Sequence, residues 1–193
     1  DIYTMNAEAG DLTNLTADLP NSAFSGRFSW DNAQICFDYY AGVTNHDIYV
    51  MNADGSGKRA VVNTAGDDTT PAFSPDGEWL VFQRKTGDSE TDPRSVICKV
   101  RTNGTDLAVL TDNSELDEMP VFTPDGNFIL FKRGGRTVGP AGEIYRMDTN
   151  GGNLTNLTHN GVQNDSPAVA PESDLYAFMS ISGGAMEIYT MNT

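Results

Sequence analysis

The sequence predicts an all-β fold, a β-propeller built of about four four-stranded antiparallel blades. Three observations predict it: a six-residue motif that occurs five times, a hairpin-like stretch that occurs four times out of phase with it, and strand segments that are apolar on both faces. Composition agrees with a packed domain. Of 193 residues, 38% are hydrophobic and 20% charged, near the globular average and unlike disordered chains.

The motif reads DIYTMN (1–6), DIYVMN (47–52), VICKVR (96–101), EIYRMD (143–148) and EIYTMN (187–192). Its starts, near 1, 47, 96, 143 and 187, follow the period of roughly 40 to 50 residues that marks propellers. Residues 1–193 therefore read as a single propeller domain or segment. The first four copies run into AEAGDLTNLT, ADGSGKRAVV, TNGTDLAVLT and TNGGNLTNLT. In each, Asn, Asp and Gly tolerate the positive φ of a tight turn, so the motif and the Leu/Val-rich segment after it form a hairpin.

The second recurrent stretch is GRFSWDNAQICFD (26–38), PAFSPDGEWLVFQ (71–83), PVFTPDGNFILFK (120–132) and PAVAPESDLYAFM (167–179). Pro71, Pro120 and Pro167 are expected to open a strand, where a missing N–H is tolerated. Gly77 and Gly126 supply the turn, with Asn32 and Ser173 in their place in the other copies. Each repeat thus yields four short strands. Trp79, Leu80, Val81 and Phe82 are apolar at consecutive positions, so both faces of the sheet need cover, which radially stacked blades provide. Trp79 and Phe82 are expected in the core between blades, and Tyr39-Tyr40 leads into a loop. The polar insertion RKTGDSETDPRSV (84–96) is expected as a surface loop between second and third strands.

Five copies of the motif against four of the hairpin leave one strand over. Two arrangements stay open: a small closed four-bladed ring, or a segment of a larger six- to eight-bladed propeller that begins with the outer half of one blade and ends with three strands of another. The chain also begins at Asp1, within the motif and without Met, as expected of a processed product or a piece of something longer.

DIYVMNADGSGKRAVV followed by PAFSPDGEWLVFQ resembles the WD-like repeat of the TolB-type β-propellers, in four rounds along nearly the whole chain. That repeat occurs in periplasmic translocation proteins, in the propellers of prolyl-oligopeptidase-like enzymes, in sugar-processing propellers and in surface proteins. The resemblance implies a non-enzymatic protein–protein interaction or binding module of the bacterial cell envelope, periplasmic or extracellular. Its alternatives are a non-catalytic propeller domain of a prolyl-oligopeptidase-like or sugar-processing enzyme, and a structural accessory subunit of a larger assembly.

Charge narrows the partners. Twenty-seven acidic residues against twelve basic ones give a formal net charge of −15, a field that repels nucleic acid and anionic membrane surfaces. No apolar run reaches the roughly 18 to 20 residues of a membrane span, so an integral membrane protein is not expected, although association with a membrane complex is compatible. No cofactor, metal or catalytic set is expected either. There is no G-x-S-x-G elbow, and His46 and His159 fall at different places in their repeats, as loop histidines do. NADGSG (52–57) lacks the later carboxylate of a calcium loop. The N-x-T triplets at Asn14, Asn103, Asn153 and Asn156 belong to the repeat. Cys36 and Cys98 read as buried free thiols, with a single disulfide as the alternative.

The candidate site is acidic. Asp67 and Asp68, Asp117 and Glu118, and Asp165 each stand just before the proline-marked strand. In the family resembled that strand is the innermost, which gathers the five carboxylates at one mouth of the central channel. Two readings stand side by side: a rim that attracts a protein or basic peptide, with a blade edge as the other contact surface, or carboxylates that cap turns.

Overall fold

The structure, a computed structural model, describes residues 1–8, 10–40, 42, 45–87, 94–135, 141–173 and 175–192. All regular elements among them are strands. A two-stranded sheet, β1 (Tyr3–Thr4) and β2 (Thr13–Asn14), precedes three four-stranded sheets. These are β3 (Ala23–Phe28), β4 (Gln34–Tyr39), β5 (Asp47–Asn52) and β6 (Arg59–Val62); β7 (Asp67–Phe73), β8 (Trp79–Lys85), β9 (Ser95–Arg101) and β10 (Ala108–Val109); and β11 (Asp117–Phe122), β12 (Phe128–Arg133), β13 (Glu143–Asp148) and β14 (Thr155–Asn156). A three-stranded sheet of β15 (Gln163–Val169), β16 (Leu175–Ser182) and β17 (Ala185–Asn192) ends the series. Every pairing within these sheets is antiparallel. Among the described residues the first and last sheets are not hydrogen-bonded to each other: β1 pairs with β2 and β17 with β16. Met186 and Ile188 on β17 stand exposed.

Local chemistry explains the turns. In the second full blade, Trp79 N donates to Ser74 Oγ at 2.9 Å and Glu78 N to Asp76 Oδ1 at 3.0 Å, while Gly77 turns at φ 71°. Ser29 with Asp31 and Asn32, and Thr123 with Asp125 and Gly126, repeat this arrangement. The N-x-T triplets also have a structural use. Asn14, Asn103 and Asn156 each accept the amide of the threonine two residues on, and Thr16, Thr111 and Thr158 accept the amides of Ile2, Ile97 and Ile144. These side chains satisfy backbone donors where the outermost strands are only two to four residues long.

Blades pack face to face. One cluster, with Ile35, Phe37 and Met51, joins Leu15 after β2 to the first full blade. A second, with Cys36, Ile48, Phe73, Leu80 and Phe82, joins the first full blade to the next. A third, with Val81, Ile97, Ile129, Phe131 and Met147, joins that blade to the third. Adjacent apolar residues on β8 thus serve opposite interfaces, as their succession in the sequence predicts. Outer turns add backbone contact. Gly151 turns at φ 88°, and a Cβ there would lie 2.5 Å from Leu110 O of the preceding blade. Gly151→Ala is expected to cost about 2 kcal/mol or more, measured by denaturant unfolding; an unchanged midpoint would show that the outer turns do not touch.

Three expectations need correction. Pro71, Pro120 and Pro167 lie inside β7, β11 and β15 rather than at their starts. Each stands at a register shift, after Thr70, Met119 or Ser166 with φ of 54°, 55° and 51°. A bulge excuses a proline from the ladder, and Ser25-Gly26 forms the same bulge in β3. Trp79 packs against the third cluster but is only half-buried, flanked by Lys99 Nζ at 4.5 Å and Arg101 Cζ at 4.4 Å from its ring centre. Of the expected loop 84–96, Arg84 and Lys85 belong to β8 and Ser95 and Val96 to β9, and residues 88–93 lie outside the described residues. Tyr39-Tyr40 does lead out of β4, and Tyr39 itself is buried edge-on to Tyr49 at 5.3 Å.

Candidate functional site

Neighbouring members of the series β3, β7, β11 and β15 pack against each other, so these strands form the inner wall. The five predicted carboxylates all fall at the starts of β7, β11 and β15, at one end of that wall. They stand at the same end of neighbouring strands. The structure also gives each a cation.

Antiparallel pairing sets the partners. Asp68 stands opposite Arg84 and Asp117 opposite Arg133. Arg84 donates through Nε and Nη2 to the two oxygens of Asp68 at 2.7 and 2.8 Å, and Arg133 does the same to Asp117 at 2.7 Å twice. Both aspartates are fully buried. Such forked pairs use the planar guanidinium fully, and each carboxylate raises the pKa of its arginine. Asp68 and Asp117 therefore tie first strand to second within a blade.

The other three link neighbouring groups. Asp67 meets Lys85 Nζ at 2.6 Å and His46 Nδ1 at 2.7 Å. Burial alone would raise the Asp67 pKa, but the hydrogen bonds from Lys85 and His46 outweigh it and hold the carboxyl below its ordinary value. Glu118 accepts from Lys132 Nζ at 2.7 Å, and Lys132 also lies 3.1 Å from Asp165. Gln83 Nε2 donates to Glu118 at 3.5 Å. A polar chain of Gln83, Glu118, Lys132 and Asp165 thus crosses three blades. Burial pulls the Lys132 pKa down, yet its two carboxylates hold it above the usual lysine value.

Arg84, Lys85, Lys132 and Arg133 were missed by looking only at the acidic segments. Their signal is the basic residues that follow LVF and ILF, in QRK and KR, which a hairpin folds back onto the acids. His46 lies in the loop before β5, as expected, but is half-buried, with Phe24 at 5.7 Å and Tyr40 at 5.2 Å between ring centres. His159 is exposed. Cys36 and Cys98 are buried free thiols, each pushed up to about 12, chiefly by burial.

A family model described as the TolB beta propeller domain matches residues 1–192. Solved structures similar to the chain include TolB from Acinetobacter baumannii, at 17% identity and TM-score 0.79, covering 96% of this chain and 44% of that one. An oligogalacturonate lyase from Vibrio parahaemolyticus matches at 17% identity and TM-score 0.72, over 98% of this chain and 55% of that one. A puromycin hydrolase matches at 18% identity and TM-score 0.67, over 88% of this chain and 29% of that one. The chain spans less than two thirds of the length of each. At these identities the likeness is one of fold.

Proposed function

Because the chain belongs to the TolB β-propeller family, we propose that it is a non-enzymatic protein–protein interaction module of the bacterial cell envelope, periplasmic or extracellular, which holds a basic segment of a partner at the channel mouth. The observation that carries this reading is the unequal charge there. Lys132 serves both Glu118 and Asp165, so five carboxylates meet four cations, and Asp67 and Asp165 keep part of their surface open to solvent. A formal charge of −15 adds long-range attraction for a cationic segment.

The mouth is favoured over a blade edge because β2, β6, β10 and β14 are only two to four residues long, short templates for an added strand, while the longer open edge, β17, exposes Met186 and Ile188, an apolar surface that does not match a basic segment. A binding role also suits the state of the reactive groups. His46 Nδ1 is held by Asp67, and both thiols stay protonated at neutral pH.

The test is fluorescence anisotropy with a labelled peptide of alternating Lys and Ala. Saturable binding that weakens with salt is expected, with Asp165→Asn lowering affinity about fivefold while the thermal midpoint stays nearly unchanged, since Lys132 keeps Glu118. Absence of binding at low salt, or equal binding by the variant, would overturn the proposal.

A further inference from the structure

Position 27 breaks the repeat. At its register on the inner strand the other three sheets carry Ala72, Val121 and Ala168, opposite Val81, Leu130 and Ala177. The first full blade carries Arg27 opposite Cys36. A guanidinium in an apolar position is costly unless something pairs with it.

Nothing in the described chain does. Lys58, Arg84, Lys85, Arg101, Lys132 and Arg133 meet carboxylates. Arg59 and Lys99 donate to backbone carbonyls, Arg146 covers the Phe128 ring, and Arg94 is engaged as well. Among the described residues, Arg27 is the basic side chain with no carboxylate, carbonyl or ring as partner. Cys36 cannot serve as its counter-ion, because burial pushes that thiol up to about 12. Burial also pulls the Arg27 pKa below its ordinary value, with Cys36 a smaller opposing influence.

Arg27 lines a cleft of about 150 Å³ together with Phe28, Trp30, Phe73, Phe122 and Val169. The residues come from all four inner strands and from the turn after β3, toward the end of the wall away from the acidic mouth. Phe28 keeps half its surface exposed. The cleft therefore offers one unpaired fork of donors and otherwise apolar walls.

We propose that this cleft binds a small carboxylic acid with an apolar body, its carboxylate paired with Arg27 and its hydrocarbon covered by Phe28, Phe73 and Phe122. A planar fork matches a carboxylate in two parallel bonds. A net charge of −15 opposes every anion and a polyanion most, and the cleft has no second cation to offset this, so a monoanion is the class that fits. The site is independent of the reading of the mouth.

Calorimetric titration tests it. Two probes present the same chemistry: hexanoate as a free acid, and N-acetyl-leucine as the last residue of a peptide. Saturable binding of at least one is expected, with the corresponding amide at least tenfold weaker and Arg27→Gln at least tenfold weaker for the acid. Whichever probe binds tighter identifies the source. Arg27→Ala is expected to keep or raise the thermal midpoint, because alanine already fills this register in two sheets. Equal affinity for acid and amide, no binding of either acid, or unchanged affinity in Arg27→Gln would overturn the proposal. So would a lowered midpoint in Arg27→Ala, which would make Arg27 structural.

Discussion

Phe82→Ala is expected to destabilise the protein by about 3 to 5 kcal/mol, a large part of the roughly 5 to 15 kcal/mol that holds a typical domain together. Phe82 is fully buried between the first two full blades, packed with Cys36, Ile48, Val96 and Cys98. Both walls of that interface are hydrogen-bonded sheets, which cannot collapse into the space the ring leaves, so the cost belongs at the upper end of the range. Arg84 lies 5.7 Å from the ring centre, and losing that face also loosens the cation that holds Asp68. Phe82→Leu, which keeps most of the volume, is expected to cost less than about 1.5 kcal/mol. Trp79→Ala provides a contrast: the ring is half-exposed, so its loss is expected to cost less than that of Phe82. Denaturant unfolding measures all three. A loss below about 1 kcal/mol for Phe82→Ala would show that the blades do not pack as described.

The difference between Phe82 and Trp79 shows how far the sequence could be read. Consecutive apolar residues announce a two-faced strand, and recurrence of the motif places that strand in every blade. Phe37, Phe82 and Phe131 accordingly fall at corresponding places in successive interfaces. Trp79 begins its strand, beside the turn, where the sheet meets solvent and long basic side chains cover the ring. Periodicity does not report that distance from the interface centre. The prolines show a second boundary. Pro71 was legible as a mark on the inner strand, but its bulge rests on Thr70 at positive φ, a conformation that a β-branched residue rarely takes and that nothing in its identity announces. At the mouth, five carboxylates were visible as a cluster because they recur at one point in the repeat. For Asp67, Asp68, Asp117 and Glu118 the cation sits 14 to 18 residues further along the chain, and only the register of the hairpin turns that separation into contact.

Asp117→Asn decides what that contact is for. The substitution keeps the shape of the side chain and removes its charge, leaving Arg133, whose side chain is 13% exposed, without its forked partner. Breaking a buried pair from one side costs about 3 to 5 kcal/mol because the remaining ion stays desolvated. Asp112 at 4.0 Å and the rings of Phe131 and Tyr145, each 5.5 Å from Arg133 Cζ, offset part of that, so about 3 kcal/mol is expected, read as a fall in the unfolding midpoint. Asp117→Leu combined with Arg133→Met removes both charges together and is expected to recover most of the loss, since an apolar pair at this depth needs no counter-ion. The lysine-rich peptide provides the second readout. If Asp117 ties β11 to β12, affinity per folded molecule is unchanged in the single variant while stability falls. An unchanged midpoint with weakened peptide binding would instead place Asp117 in the binding surface, and the forked pair would then be a resting contact that a basic partner displaces.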